Sequence, residues 1–292
     1  MRRLVCLLIV LTIFTCAGTG CVSQQTRHSN QVLEIRVQTL GAYDERFNHD
    51  FCFSYRPEHI KETVDEPEMD ITFLGQEYQG QYVDTLKYGG GQPDEYLYQV
   101  VGAISDLDPL YPYITIDSNT GHLTSMAAFD FAHISIEDDD TSDSILDKIE
   151  EVFEAEVDFG LYTVREASDF HNGYTCDWRR QTSQCKMRSS ISISVDAEGN
   201  IGRFVREDIC DDVPVDYTIP LQEEELAELA AEKLQDIYNT ETTDYVKYKE
   251  VGRTLTRYQN KMALIMSIVV TYNDISANRE GDDICELLIM LE

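Results

Sequence analysis

Positive charge is scarce in this chain. Its 292 residues include 23 Lys and Arg against 54 Asp and Glu, a formal net charge of −31 at pH 7. So acidic a surface repels phosphate backbones, which argues against nucleic acid as a partner. It also repels anionic lipid headgroups, so any hold on a membrane must come from an anchor. The acids are spread over the whole chain. That distribution reads as solubility at an exposed location rather than as focused attraction for cations or basic peptides.

Other absences narrow the chemistry. The sequence has no G-x-S-x-G, no Walker loop, no dinucleotide glycine fingerprint and no H-E-x-x-H. Its six histidines, His28, His49, His59, His122, His133 and His171, show no ligand spacing. No closed set of His and Cys for zinc is visible, so no metal or cofactor is expected. Cys176 and Cys185 are not spaced as C-x-x-C, which removes a thioredoxin-like reading. Among 54 acids, carboxylate pairs occur everywhere and do not by themselves argue for a glycosidase. No catalytic residue is assigned, and a non-enzyme is the favoured reading.

The N-terminus carries an address. Arg2 and Arg3 precede an apolar run from Leu4 to Phe14 and the small residues Ala17-Gly18-Thr19-Gly20. These are the three parts of a secretory signal, and the run falls short of the roughly 20 residues a spanning helix needs. "TGCVSQQ" then resembles a bacterial lipobox, with Gly18 standing where an apolar residue is usual. The resemblance implies cleavage after Gly20 and a lipid on the Cys21 thiol. The implied location is the extracytoplasmic face of a cell membrane, held by the N-terminal lipid. An acylated Cys21 leaves Cys52, Cys176, Cys185, Cys210 and Cys285, an odd number in a compartment that permits disulfides.

Polarity and periodicity divide the rest. The signal is 1–20 and a polar tether is 21–31. A β-rich domain is expected over 32–136, where Leu33, Ile35 and Val37 alternate with polar neighbours, as do Phe51, Phe53 and Tyr55. "GGGQPD" and "DSNTG" supply turns. "EDDDTSDS" reads as a solvated linker, since it lacks the mid-loop Gly and closing Glu of an EF-hand. Ser144 is placed to cap a helix carrying Ile145, Ile149, Val152, Phe153 and Val157, with Asp147 returning the bond. Strands follow near 160–175, 186–196 and 201–207, closing a unit over 137–212.

The order repeats over 213–292. Glu223, Glu224 and Glu225 open a helix whose stripe is Leu226, Leu229, Ala230, Leu234 and Ile237. Strands near 245–257, 262–272 and 284–291 come next. The expected fold is therefore α+β: a β-rich region, then two tandem helix-plus-three-strand units, each a helix on an antiparallel sheet. A glutamate-rich helix start followed by strands meeting at hairpins such as "DSNTG" resembles the PepSY-type and cystatin-like modules of exported bacterial proteins. The resemblance covers the second half of the chain and that hairpin. It implies a binding, inhibitory or propeptide-like role without catalytic residues.

Three local features remain. "CDWRRQTSQC" holds the only tryptophan. Loop closure suggests a Cys176–Cys185 disulfide, with Cys52 and Cys210 as exposed candidates for a second bond and Cys285 as a buried thiol. Trp178, Arg179 and Arg180 either pack back on the sheet, the favoured reading, or protrude as a partner contact. Lys247, Lys249, Arg253, Arg257 and Lys261 share parity and would line one strand face. The functional reading is an accessory binding or inhibitory lipoprotein whose partner is a protein or a wall polymer. The alternative is a secreted hydrolase acting on wall or glycan material.

Overall fold

The computed structural model describes residues 31–40, 57–88, 93–103, 112–170 and 173–291. The signal, Cys21 and Cys52 lie outside the described residues, as do Phe51, Phe53 and Tyr55. Among the described residues are fourteen strands and two α-helices. Strand accounts for 55% and helix for 14%, so the protein is mostly β. The expected α+β arrangement of a β-rich region and two tandem helix-plus-three-strand units is corrected by this finding. Among the described residues two compact units form: 31–40 with 217–291, and those between 57 and 216.

The first unit joins the two ends of the chain. β12 (Thr243–Tyr258), β13 (Lys261–Asp274) and β14 (Arg279–Met290) form an antiparallel meander. β1 (Val32–Leu40) adds a fourth strand against β14, with Ile35 opposite Leu287 and Val37 opposite Cys285. Helix α2 (Glu223–Tyr238) buries Leu226, Leu229, Ala230, Leu234 and, in place of the expected Ile237, Tyr238. Tyr238 donates to Asp283 Oδ2 at 2.7 Å, with Cys285 Sγ 3.3 Å from the same hydroxyl. Cys285 is fully buried, as its place among Leu287 and Ile289 implies. Burial pushes its thiol up to about 12.

The expected basic row does not form, because β12 is bulged. Lys249 lies opposite Val269 and Gly252 opposite Ser267, with a register shift between Glu250 and Gly252. One extra residue in a strand inverts the facing of everything after it. Lys247 and Lys249 therefore share a face with Thr254 and Thr256, while Arg253 and Arg257 turn to the helix side. There the Arg253 guanidinium donates to both Glu223 carboxylate oxygens, at 2.7 and 2.6 Å.

In the second unit the strands read as a separate N-terminal region share a sheet with those after the first helix. The order is β8 (Val164–Phe170), β9 (Gly173–Gln181), β10 (Lys186–Asp196), β11 (Asn200–Glu207), β7 (Leu123–His133), β6 (Tyr113–Asp117), β5 (Glu95–Val100), β4 (Gln76–Lys87) and β2 (Glu58–Ile60). β3 (Glu68–Phe73) also pairs with β4. The joint is β11 on β7, where Phe204 faces Met126 and Val205 faces Ser125. A local pattern does not reveal such a pairing, since both strands look alike whether or not they meet.

Helix α1 (Ser142–Phe153) buries Ile145, Leu146, Ile149 and Phe153 against this sheet. Its cap is Thr141, not Ser144. Thr141 Oγ1 accepts from the Ser144 N–H, and Ser144 Oγ accepts from the Thr141 N–H at 2.8 Å. Asp147 accepts from Arg165 Nη1 at 2.7 Å instead of returning the cap bond. The sheet face under the helix carries Tyr98, Ile114, Met126, Trp178, Ile191, Ile193 and Phe204. The residues between them point the other way.

The β10–β11 turn sets one test. Gly199 has φ +91°, and a Cβ there would lie 1.9 Å from the Ile134 carbonyl oxygen. Gly121 also has positive φ, +72°, but open space around its Cα. In urea unfolding, Gly199→Ala should cost about 2–4 kcal/mol and Gly121→Ala about 1 kcal/mol. Equal losses would show that the Ile134 contact has no weight.

Candidate functional site

The residues singled out in "CDWRRQTSQC" are placed inside. Trp178 is 1% exposed and Arg180 6%. The indole N–H donates to Glu150 Oε1 at 2.7 Å, and the ring packs on Phe159 at 4.8 Å between centroids. Arg180 Nη1 donates to the Cys210 carbonyl at 3.0 Å and Nη2 to that of Val213 at 2.7 Å. Arg179 pairs with Glu166 at 2.5 Å. This hairpin therefore presents no protruding Trp–Arg contact.

The structure does not bring Cys176 and Cys185 together. Cys176 stands opposite Ile193 and Ala167 in the middle of the sheet. Cys185 is at the hairpin end, where its carbonyl accepts from the Thr182 N–H. Six residues of strand separate Cys176 from Thr182, about 20 Å at 3.3 Å per residue, against the 4.4–6.8 Å a disulfide needs. Hairpin pairing itself is the reason: both cysteines are near the turn in sequence, but only one is near it in register. Cys210, expected on an exposed linker, is fully buried.

What the unit does assemble is a polar cluster on the sheet face opposite α1, at one end of the strands. Glu95 opens β5 and is the register partner of Asp117, which closes β6. Tyr88, just past β4, donates its hydroxyl to Glu95 Oε2 at 2.9 Å. Thr115 and Thr124 bond to each other at 2.8 Å and to the same carboxyl. Asp117 Oδ1 accepts from the N–H groups of Asn119 and Thr120, at 2.7 and 2.8 Å, so the "DSNTG" turn holds it in place. From β10, Arg188 donates through Nε to Glu207 Oε1 at 2.6 Å, and Nη2 bonds the same oxygen. Its side chain is 9% exposed, and its Nη1 has no hydrogen-bond partner among the described residues.

Burial sets the electrostatics. Desolvation pushes the Glu95 carboxyl above its ordinary range; Asp117 adds to the rise, and hydrogen bonds from Tyr88, Thr124 and Thr115 offset part of it. Tyr88 is raised by burial first and by Glu95 second, with Arg188 pulling it back. Asp208 is raised by burial, with Arg206 opposing. On the same sheet face, within electrostatic reach of Tyr88, stands the buried Arg188 guanidinium. Such a grouping suits a polar ligand more than a structural role.

A groove of about 620 Å³ is lined by Glu150, Glu151, Glu154, Ala155, Glu156, Val157, Asp158 and Phe159. Three of its five carboxylates already serve the fold: Glu150 holds Trp178, Glu156 holds the Leu74 N–H and Asp158 the Gly160 N–H. Among the described residues no group of three or more His, Cys, Asp or Glu is arranged to hold a metal ion.

Comparison with known proteins adds little. No family profile matches the chain, and no curated protein matches it in sequence. A solved structure titled "Bacillus megaterium YpeB C-terminal domain" is similar over 74% of this chain and 90% of its own length, with 11% identity and a TM-score of 0.33. At that level the likeness carries no activity across.

The raised Glu95 gives a pH test. An acid whose folded pKa exceeds its unfolded one binds its proton more tightly when folded. Stability then falls as pH rises through that window, from the ordinary glutamate value of 4.5 upward. Glu95→Gln should flatten this part of the stability–pH curve and stabilise the protein at neutral pH relative to the parent. Urea unfolding of both proteins at several pH values reads the difference. Parallel curves would overturn the assignment.

Proposed function

We propose that the chain is a lipid-anchored, extracytoplasmic accessory protein that binds a partner and carries out no reaction itself. The observation that carries the binding half is the unused Arg188 Nη1 donor, on a guanidinium paired with Glu207 and within electrostatic reach of Tyr88. The anchoring half rests on residues 1–31: two arginines, a short apolar run, small residues, Cys21 and a polar tether. The element order of the first unit, a glutamate-opened helix and then a meander, also resembles that of PepSY-type modules and supports an accessory or inhibitory role.

One observation favours a second reading, a hydrolase of wall or glycan material. Glu95 and Asp117 are register partners on one face, with Cβ atoms about 4.5–5.5 Å apart. Glu95 is raised, as a general acid would be.

Two measurements test the proposal. Mass spectrometry of the mature protein should find Cys21 at the N-terminus with a diacylglyceryl thioether, and Cys21→Ser should move the protein from the membrane to the soluble fraction. Any other start, or an unmodified Cys21, overturns the anchor. Incubation with purified wall material should release no soluble fragments. Release that Glu95→Gln abolishes would establish the hydrolase instead.

A further inference from the structure

We infer that the strand-end cluster of the second unit binds a neutral, polyhydroxylated ligand, a carbohydrate rather than an ion, with Arg188 as donor and Glu95 and Glu207 as acceptors. This deepens the binding role proposed above and rests on it.

Three observations select the ligand's chemistry. First, Arg188 Nη1 is buried without a partner among the described residues, while Nε and Nη2 are both used on Glu207. A buried donor left unmade is costly, so whatever enters must offer an acceptor there. Second, that acceptor is not an anion. Arg188 is already paired with the Glu207 carboxylate, and a second anion beside that charge is repelled at close range. A simple cation fails too, because it has no acceptor to give Arg188. Third, the acidic partners need donors, since Glu207 and Glu95 each keep lone pairs beyond the bonds they make. Adjacent hydroxyls on a sugar ring meet both demands, each accepting from a guanidinium and donating to a carboxyl. Tyr88 and Tyr113, both half-buried beside the cluster, add ring surface for the C–H faces of a sugar. Tyr88, Glu95 and Glu207 are part-exposed, so solvent reaches the rim of the cluster above the buried Nη1.

The test uses the full purified chain in detergent and follows tyrosine fluorescence and calorimetric heats. The probes are tetra-N-acetylchitotetraose and maltotetraose as neutral sugars, a galacturonic acid tetramer as an anionic sugar, and tetra-alanine as a peptide. A neutral tetrasaccharide should bind saturably, and the anionic one about tenfold or more weaker. Losing one bond to a charged group corresponds to about a tenfold to hundredfold change. Glu95→Gln and Arg188→Lys should each weaken sugar binding by that factor, with Glu95→Gln at least as stable to heat as the parent at neutral pH. If Arg188→Lys does not fold, Tyr88→Phe takes its place, with a smaller loss expected. Three results would overturn the inference: no saturation by either neutral sugar at millimolar concentration, binding unchanged in the folded variants, or binding of tetra-alanine without binding of sugar. Sugar binding with release of reducing ends would uphold the ligand and remove the non-catalytic reading. No sugar binding with Cys21 acylated would remove the ligand and leave the anchor standing.

Discussion

Three phenylalanines from distant parts of the chain hold the second unit together. Phe153, at the end of α1, stacks on Phe204 of β11 with centroids 5.6 Å apart and planes within 10°. Phe73, at the tip of the β3–β4 hairpin, packs against both, at 5.9 and 5.2 Å. Each ring is at most 3% exposed. Burying such side chains contributes about 1.5–3 kcal/mol apiece, and aromatic pairs add about 0.5–1.5 kcal/mol more. This contact ties helix, hairpin and central strand to one side of the sheet. Once that side is fixed, strand alternation fixes the other, because a slip of one residue would expose every ring.

The polar cluster is a consequence of that constraint. Tyr96 and Tyr98 must face the core, so Glu95 cannot. Ile114 and Ile116 must face it, so Thr115 and Asp117 cannot. Phe204 does the same for Val205 and Glu207 one strand away. The cluster needs no loop to build it; it is the set of strand ends left on the second face, near one another because the ladder holds them there. Rigid strands place side chains more closely than loops do, which suits recognition by hydrogen bonds.

Much of this was legible in the sequence and some was not, for definite reasons. The stripes of α1 and α2 and the strands 186–196 and 201–207 follow from local periodicity, and the structure has them within a few residues. The sheet partners do not, because pairing β1 with β14 or β7 with β11 is non-local, and no residue in Val32–Leu40 names its neighbour. Parity counting failed at Lys247 to Arg257, since nothing in "VKYKEVGRTLTR" but a single Gly252 marks the bulge. The disulfide reading failed for the same reason, as it took closeness in sequence for closeness in register. The site's signal was present only in fragments: an acid before the apolar "YLYQV", and Asp117 at a turn. Each is ordinary alone, and only the sheet brings them together.

Another bulge explains why Arg188 is available at all. In the β9–β10 hairpin Gln181 lies opposite Lys186, yet Arg179 lies opposite Ser190. A regular ladder continued from the first pair would set Arg188 directly across from Arg179, two guanidinium groups on one face. Like charges so placed are destabilising. Two extra residues in β10 shift Arg179 onto Ser190, where it reaches Glu166 of β8, and leave Arg188 free to turn toward Glu207 of β11. Because the shift is even, facing is kept, so Arg188 stays on the polar side while Ile191 and Ile193 stay in the core. The bulge thus separates the two arginines without disturbing the packing beneath. Burying a guanidinium with one donor unused carries a desolvation cost that Glu207 offsets only in part. A fold that needed Arg188 only as cross-strand glue would have both ends of its fork engaged. An arginine displaced from the ladder, bonded on one side and with a buried donor unused on the other, is arranged for a group that comes from outside.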